Sequence, residues 1–308
     1  MAATVERREI ELAGLAIPVV VVTGSADGPT LTVIGGVHGC EYAAMAGVRR
    51  WLASLAGREL RGRVRAVPVL NVTAFAARAS FVVPEDGKNL NRCFPGDPAG
   101  TLADRLAYAT FTRLISGSDA VVDAHCGDLV EALQPFALYE AGPAEDRARA
   151  LAEAYGLPYV IRQPTGTERA VVGSCSGAAA QAGIPAITAE AGGCGLVEEH
   201  AVALHVTGLN RVLEQLGMAP PDPARVRAAP PAVLNRFLWL RTRTAGWWQP
   251  QVAAGELVAH DQVLGTVSSL DGAQVRETVV APADGVIIFL TSSPAVDADG
   301  LLLGLGAR

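Results

Sequence analysis

Four short patterns carry residue types able to perform hydrolytic chemistry. In VIGGVHGCE (33–41), His38 and Glu41 stand three residues apart at the end of an apolar run. At the opening of a helix such residues project to one side. An imidazole nitrogen and a carboxylate oxygen could then share one ion, and both suit Zn²⁺ at about 2.0–2.2 Å. In DAHCGD (123–128) an apolar run delivers His125. Asp123, two residues earlier, points the same way off a strand and could accept a hydrogen bond from the second ring nitrogen. PAITAEAGG (185–193) ends a further apolar run on Glu190, a carboxylate costly to bury unless it is paired or serves as a general base. PEDGKNLNRCFPGDP (84–98) places Asn91 and Arg92 in a turn-rich loop, where guanidinium could fork onto a substrate carboxylate. Taken singly, each pattern also has an ordinary reading. These are a helix start with a dipole-favoured Glu, a core His at a strand end, a carboxylate at a glycine turn and a solvated surface Arg.

The elements that must position these residues alternate along the chain. Strands are expected at 18–23, 31–37, 64–70, 119–125, 135–140, 158–161 and 185–190. Helical stretches fall near 41–56, 101–116, 144–156, 174–183 and 198–216. This is an α/β pattern with a buried, mostly parallel or mixed sheet. Ligands bind at the carboxyl edge of such sheets, where the first three patterns fall. The period changes at GMAPPDPARVRAAPPA (217–232), which reads as a linker. Short glycine-split strands follow. The division is therefore 1–218, an α/β domain, and 219–308, a linker and a small all-β module.

Composition narrows the function. The chain has 308 residues, 50% hydrophobic and 18% charged, enough to bury a large core. A net charge of −6 argues against nucleic acid as the main partner. The five cysteines form no CxxC pair, so neither a disulfide framework nor a zinc finger is expected, and small buried thiols are the preferred reading. The apolar run at 15–22 is too short to span a bilayer, so a cytoplasmic protein without membrane contact is expected. Dinucleotide and P-loop fingerprints are missing from the sequence.

The order HGxE, NLNRxFPG, DxH, ExG resembles the succinylglutamate desuccinylase/aspartoacylase family within the wider zinc carboxypeptidase group. NLNRCFPGD (89–97) and HGCE (38–41) are its most specific pieces, and the resemblance covers most of 1–215. It implies a zinc-carboxypeptidase-like mixed sheet flanked by helices. It implies one Zn²⁺ per chain on His38, Glu41 and His125, Glu190 as general base, and Asn91 and Arg92 as the carboxylate clamp. Arg78 is the nearest candidate for a further clamp Arg, although its spacing is shifted. Arg162 and Arg169 are the candidates for an Arg reading the acyl group. The family's Asp before LNR is Asn89 here.

The implied reaction is zinc-dependent hydrolysis of an N-acyl amino acid or close derivative to a carboxylic acid and a free amine. The alternative is a metallocarboxypeptidase acting on short peptides or peptidoglycan fragments. A non-catalytic binding protein on the same frame is the reading of a different class, and the retained His38, Glu41, His125 and Glu190 argue against it. The partner is then a small N-acylated carboxylate, and a homo-oligomer is an open expectation. Residues 246–306 resemble the lipoyl/biotinyl-like barrel-sandwich of bacterial relatives. The tip expected to carry the modified lysine reads SSLDGAQ (268–274), and Lys88 is the chain's only lysine, so no such modification is expected. The module is expected to cover the cleft or support oligomers. Trp247 and Trp248 are expected either over the substrate or against the catalytic domain.

Overall fold

The computed structural model describes residues 2–163, 173–224, 226 and 229–307. The chain opens with a hairpin of β1 (Thr4–Leu12) and β2 (Leu15–Thr23), joined by Ala13 and Gly14 alone. Both turn residues have positive φ, 55° and 86°, as a two-residue turn matched to strand twist requires. β1 reads TVERREIEL. Its charges hide it from a search for apolar runs, and pairing with β2 makes it a strand.

Then follow β3 (Ala26–Gly35), α1 (Tyr42–Ser54), β4 (Arg61–Val67), α2 (Val72–Ala77), α3 (Leu102–Thr110), β5 (Ala120–His125), β6 (Glu131–Leu133) and β7 (Phe136–Glu140). After these come α4 (Glu145–Tyr155), β8 (Tyr159–Gln163), α5 (Cys175–Gln181), β9 (Ala186–Glu190), α6 (Glu199–Gln215) and β10 (Ala232–Leu234). Nine strands form one mixed sheet in the order β1-β2-β4-β3-β5-β9-β7-β8-β10. β3, β4, β5 and β9 run parallel, and β7 enters antiparallel to β9. The mixed α/β expectation holds. β1, β6, α2 and β10 are additions that the sequence patterns did not announce; β10 falls in the 219–308 part yet pairs parallel with β8 at the edge of the nine-stranded sheet.

Strand alternation sorts the two faces. Val122 and Ala124 of β5 pack with α1, α4 and α6, whose buried residues include Trp51, Leu151 and Leu209. Removing the Trp51 ring would cost about 3–5 kcal/mol. Val121 faces the other way, with Leu106 of α3 and Ala178 and Ala179 of α5. Asp123 and His125 share that second face with Val121. The chemistry is therefore roofed by α5 and the loops around it.

The C-terminal part holds β11 (Arg236–Arg241), β12 (Gly246–Pro250), β13 (Leu257–Val258), β14 (Val263–Ser268), β15 (Val275–Val280), β16 (Gly285–Thr291), β17 (Ala295–Val296) and β18 (Leu301–Ala307). They make two antiparallel sheets, β11-β18-β16-β13 and β15-β14-β12-β17. β6 pairs with β16, Leu133 opposite Phe289. Phe136, Leu138, Ile161, Leu234, Val286 and Ile288 form an apolar seam across the two parts. Among the described residues no helix is long and apolar enough to cross a membrane.

Candidate metal centre and active site

Three strand ends and one turn build the site. β3 stops at Gly35, and Gly36 (φ 64°) turns the chain so tightly that an added Cβ would lie 2.9 Å from Val69 Cα. That turn delivers His38 and Glu41. Glu41 occupies the position before α1 without capping it. Its carboxylate reaches inward instead. One oxygen lies 2.5 Å from His38 Nδ1 and the other 2.8 Å from His125 Nδ1. The backbone N–H of Cys126 also donates to Glu41, at 3.1 Å. Parallel pairing of β5 with β9 sets His125 opposite Glu190, and antiparallel pairing of β9 with β7 sets Glu190 opposite Phe136.

The donor set fits a divalent cation. His38, Glu41 and His125 are buried, and one ligand atom from each lies within 4.8 Å of the others. Two imidazole nitrogens and a carboxylate suit Zn²⁺ and leave room for a further ligand. The outer ring nitrogens face acceptors. His38 Nε2 donates to Asn89 Oδ1 at 3.0 Å, and His125 Nε2 stands 3.0 Å from Asp123 Oδ2. This second pair is close enough for an ion pair but too poorly aligned for a hydrogen bond, so both Asp123 oxygens and His125 Nε2 are left unsatisfied by hydrogen bonding. Asn89 Oδ1 assigns the His38 ring proton to Nε2 and leaves Nδ1 to face Glu41, and the Asp123 carboxylate beside His125 Nε2 favours the same tautomer there, the one a cation needs. Burial alone would raise the Glu41 pKa, yet the two imidazoles hold it well below the ordinary range. Burial would likewise lower His125, and Asp123 with Glu41 outweighs it and raises the ring's pKa.

Glu190 is partly open to the cavity and otherwise walled in by protein. Burial pushes its carboxyl up, with the charges of Glu41 and Glu131 adding to this and His125 opposing it.

The loop 84–98 is pinned from both sides. Asn89 Oδ1 accepts from Asn91 N at 2.8 Å as well as from His38, so the Asn in place of the family's Asp still holds the ring. Asn91 Oδ1 accepts from Cys175 N at 2.8 Å, at the start of α5. Asn91 and Arg92 both line the cavity. The Arg92 guanidinium is open to it, yet enough protein surrounds the group that desolvation lowers its pKa. Arg92 has no carboxylate partner among the described residues. Its charge is available to an anion.

The cavity has a volume of about 420 Å³, within the usual range for small-molecule sites. The sheet face and the 84–98 loop supply one side. Phe237, Trp239, Arg241 and Phe289 of the C-terminal strands supply the other. Trp248 is instead buried in the core of its own module, and Trp247 is half exposed on its surface. Neither lines the cavity, because β12 lies in the sheet away from it. Arg78 caps the C-terminal end of α2 at φ 54° and is exposed outside the lining. Arg162 forks onto Glu145 at 2.6 and 3.2 Å and does not reach the cavity, which removes it as the acyl-reading Arg. Arg169 lies outside the described residues. Cys40, Cys126 and Cys175 are buried free thiols, while Cys93 and Cys194 are partly exposed.

Sequence patterns did not single out Glu131, Glu140 or Arg241, which all line the cavity. Burial pushes the carboxyls of Glu131 and Glu140 up to about 7. Arg241 had no local signal, since it lies 51 residues beyond Glu190, the nearest motif residue lining the same cavity. For Glu140 a signal existed: a carboxylate ending the apolar run PFALYE, as Glu190 ends its own.

A family model for the succinylglutamate desuccinylase/aspartoacylase catalytic domain matches residues 27–216. The N-alpha-acetyl-L-2,4-diaminobutyric acid deacetylase of Halomonas elongata is 31% identical over 281 residues, covering 88% of this chain and 80% of that protein. The product-bound ectoine utilization protein EutE (DoeB) from Ruegeria pomeroyi is 25% identical, with TM-score 0.86 over 96% of this chain and 90% of that one. A succinylglutamate desuccinylase/aspartoacylase from Rhodobacter sphaeroides, 24% identical, shares the fold at TM-score 0.85 over 98% and 94% of the two chains. With a family match across well over half its length and HGCE, NLNR, DAH and EAG at the motif positions, the chain belongs to the succinylglutamate desuccinylase/aspartoacylase family.

Proposed function

We propose that this protein is a zinc-dependent deacylase that hydrolyses the amide of a small N-acyl amino acid, an acetyl derivative foremost. The observation that carries this reading is the convergence of His38, Glu41 and His125 beside Glu190 in a cavity that also holds the unpaired Arg92. The relative acting as an N-acetyl-diaminobutyric acid deacetylase supports the acyl group.

His38, Glu41 and His125 would hold the ion, giving the site a net charge near +1, while Asn89 and Asp123 orient the rings. When bound, Zn²⁺ supplies Lewis acidity, lowering the pKa of a water from about 15.7 toward about 7 and polarising the amide carbonyl. Arg92 and Asn91 hold the substrate carboxylate, which fixes the distance between the amide and Glu190. Such positioning removes several kcal/mol of the barrier. Glu190 takes the proton of the attacking water and returns it to the leaving amine. The C–N bond breaks as the C–O bond forms, giving a carboxylic acid and an amine. Phe237, Trp239 and Phe289 exclude bulk water, which strengthens each charge interaction inside. The same aromatic wall favours a small substrate over an extended peptide. In this reading the 1–218 part carries the chemistry and the 219–308 part closes it.

The test is zinc content of the purified protein together with release of amine from N-acetyl, N-formyl and N-succinyl amino acids. One zinc per chain and turnover of one acyl class is the expected result. A protein that takes up no zinc and shows no turnover after zinc is supplied refutes the reading.

A further inference from the structure

One buried carboxylate in the cavity takes no part in the chemistry above. Glu140 ends β7 and is 4% exposed. No cation and no hydrogen-bond donor among the described residues pairs with it. Strand alternation puts Phe136, Leu138 and Glu140 on the face of the sheet that carries Glu190, and all three line the cavity. Gln163, opposite Glu140 on β8, lines it too. Four residues of strand separate Glu140 from Phe136 in the Glu190 row, a backbone distance of ~13 Å. Its carboxylate therefore lies at the far end of the cavity from the metal ligands.

That end adjoins the amino-acid side of the cavity. The clamp loop docks on the start of α5 through Asn91 and Cys175. An atom added at Gly177, two residues on, would lie 3.5 Å from Glu140 Oε1. Arg92 and Glu140 thus offer one free positive and one free negative charge around the same helix start. A zwitterion with its two charges several bonds apart complements this pattern.

We propose that Glu140 is a specificity residue that binds a distal primary ammonium of the substrate, so that this protein acts on Nα-acyl diamino acids. The inference rests on the deacylase reading and goes on to name the side-chain chemistry. Burial without a partner raises the Glu140 carboxyl to about 7, the behaviour of an acid whose counter-charge arrives with the ligand. An unpaired carboxylate also rejects an apolar side chain, since that group would leave the charge buried and unsatisfied.

The experiment compares zinc-loaded wild type with Glu140→Gln on Nα-acetyl-2,4-diaminobutyrate, Nα-acetylornithine and Nα-acetyllysine, and on the uncharged isostere Nα-acetylnorvaline. Wild type is expected to prefer one diamino substrate over norvaline by ~10- to 100-fold in kcat/KM, and Glu140→Gln to remove most of that ratio. An unchanged ratio in Glu140→Gln overturns the proposal, as does wild type with no preference for a cationic side chain. Calorimetric binding of the free diamino acids against norvaline to both proteins gives the same comparison without turnover. If norvaline and diamino derivatives are cleaved alike, the deacylase reading stands and this inference falls. If no N-acetyl substrate is cleaved but the free diamino acids bind through Glu140, the deacylase reading falls and takes the substrate assignment with it, while the ammonium-binding role of Glu140 stands.

Discussion

Lowering the pH tests how the end of β9 is anchored. His205 of α6 is fully buried. Its Nε2 donates to Ala191 O at 3.2 Å, and its Nδ1 accepts from Tyr155 O–H at 3.0 Å. The ring is thus neutral and ties α4 and α6 to the residue after Glu190. Burial lowers its pKa from 6.5 to about 4. The sign follows from proton uptake. In the unfolded chain the ring protonates below about 6.5, while the native ring resists until about 4, so stability is lost as pH falls through that window. Between pH 7.5 and 5.5 the unfolded ring gains nearly one proton and the native ring almost none, which amounts to about 1.3 kcal/mol. Glu131 and Glu140, raised to about 7, act with the opposite sign, gaining stability as pH falls. They are common to wild type and variant and cancel in a difference. Urea unfolding of wild type and His205→Gln at the two pH values is the assay. The stability advantage of wild type is expected to shrink by about 1.3 kcal/mol at pH 5.5. Parallel pH profiles for the two proteins would refute the argument that His205 is held neutral in the fold.

Three further outcomes are expected. Glu190→Gln should retain one zinc per chain while kcat falls by a factor of ~10²–10⁴; wild-type turnover would remove Glu190 from proton transfer. Arg92→Ala should lower kcat/KM for carboxylate substrates by ~10- to 100-fold and affect an amide-capped analogue much less; equal losses on both would count against the clamp. Gly47→Ala should destabilise the protein, because the new Cβ would lie 2.5 Å from His205 Cβ. Overpacking of ~1–3 kcal/mol outweighs the ~0.8–1.0 kcal/mol gained in helix propensity. A melting temperature unchanged or raised would contradict the close packing of α1 on α6.

The legible part of the site consists of residues whose partners are near in sequence. His38 and Glu41 are three apart across a tight turn, and Asp123 and His125 are two apart on a strand, so local backbone geometry alone directs them together. Glu190 was visible because a carboxylate at the end of a buried run needs a reason to be there. The Asn91–Arg92 loop was visible through its motif. Arg162 shows the limit. Its residue type matched a substrate-reading role, but Glu145 lies within reach across the fold and takes its fork. The same limit applies to Trp247 and Trp248, whose sheet turns one into its own core and the other outward, while Phe237 and Trp239 line the cavity.

The amino-acid sequence by itself determined the α/β class and a short set of residues able to hold a cation and move a proton. Periodicity and short spacings state which way a side chain points from its own element, and no more. The tertiary structure decided which elements are neighbours. The strand order β5-β9-β7 puts His125, Glu190 and Phe136 in one row and carries Glu140 to the far end of the same face. The pairing of β6 with β16 brings the C-terminal aromatics against that face. Strand order and register depend on contacts between residues tens to more than a hundred positions apart. Only the packed chain brings those contacts into being.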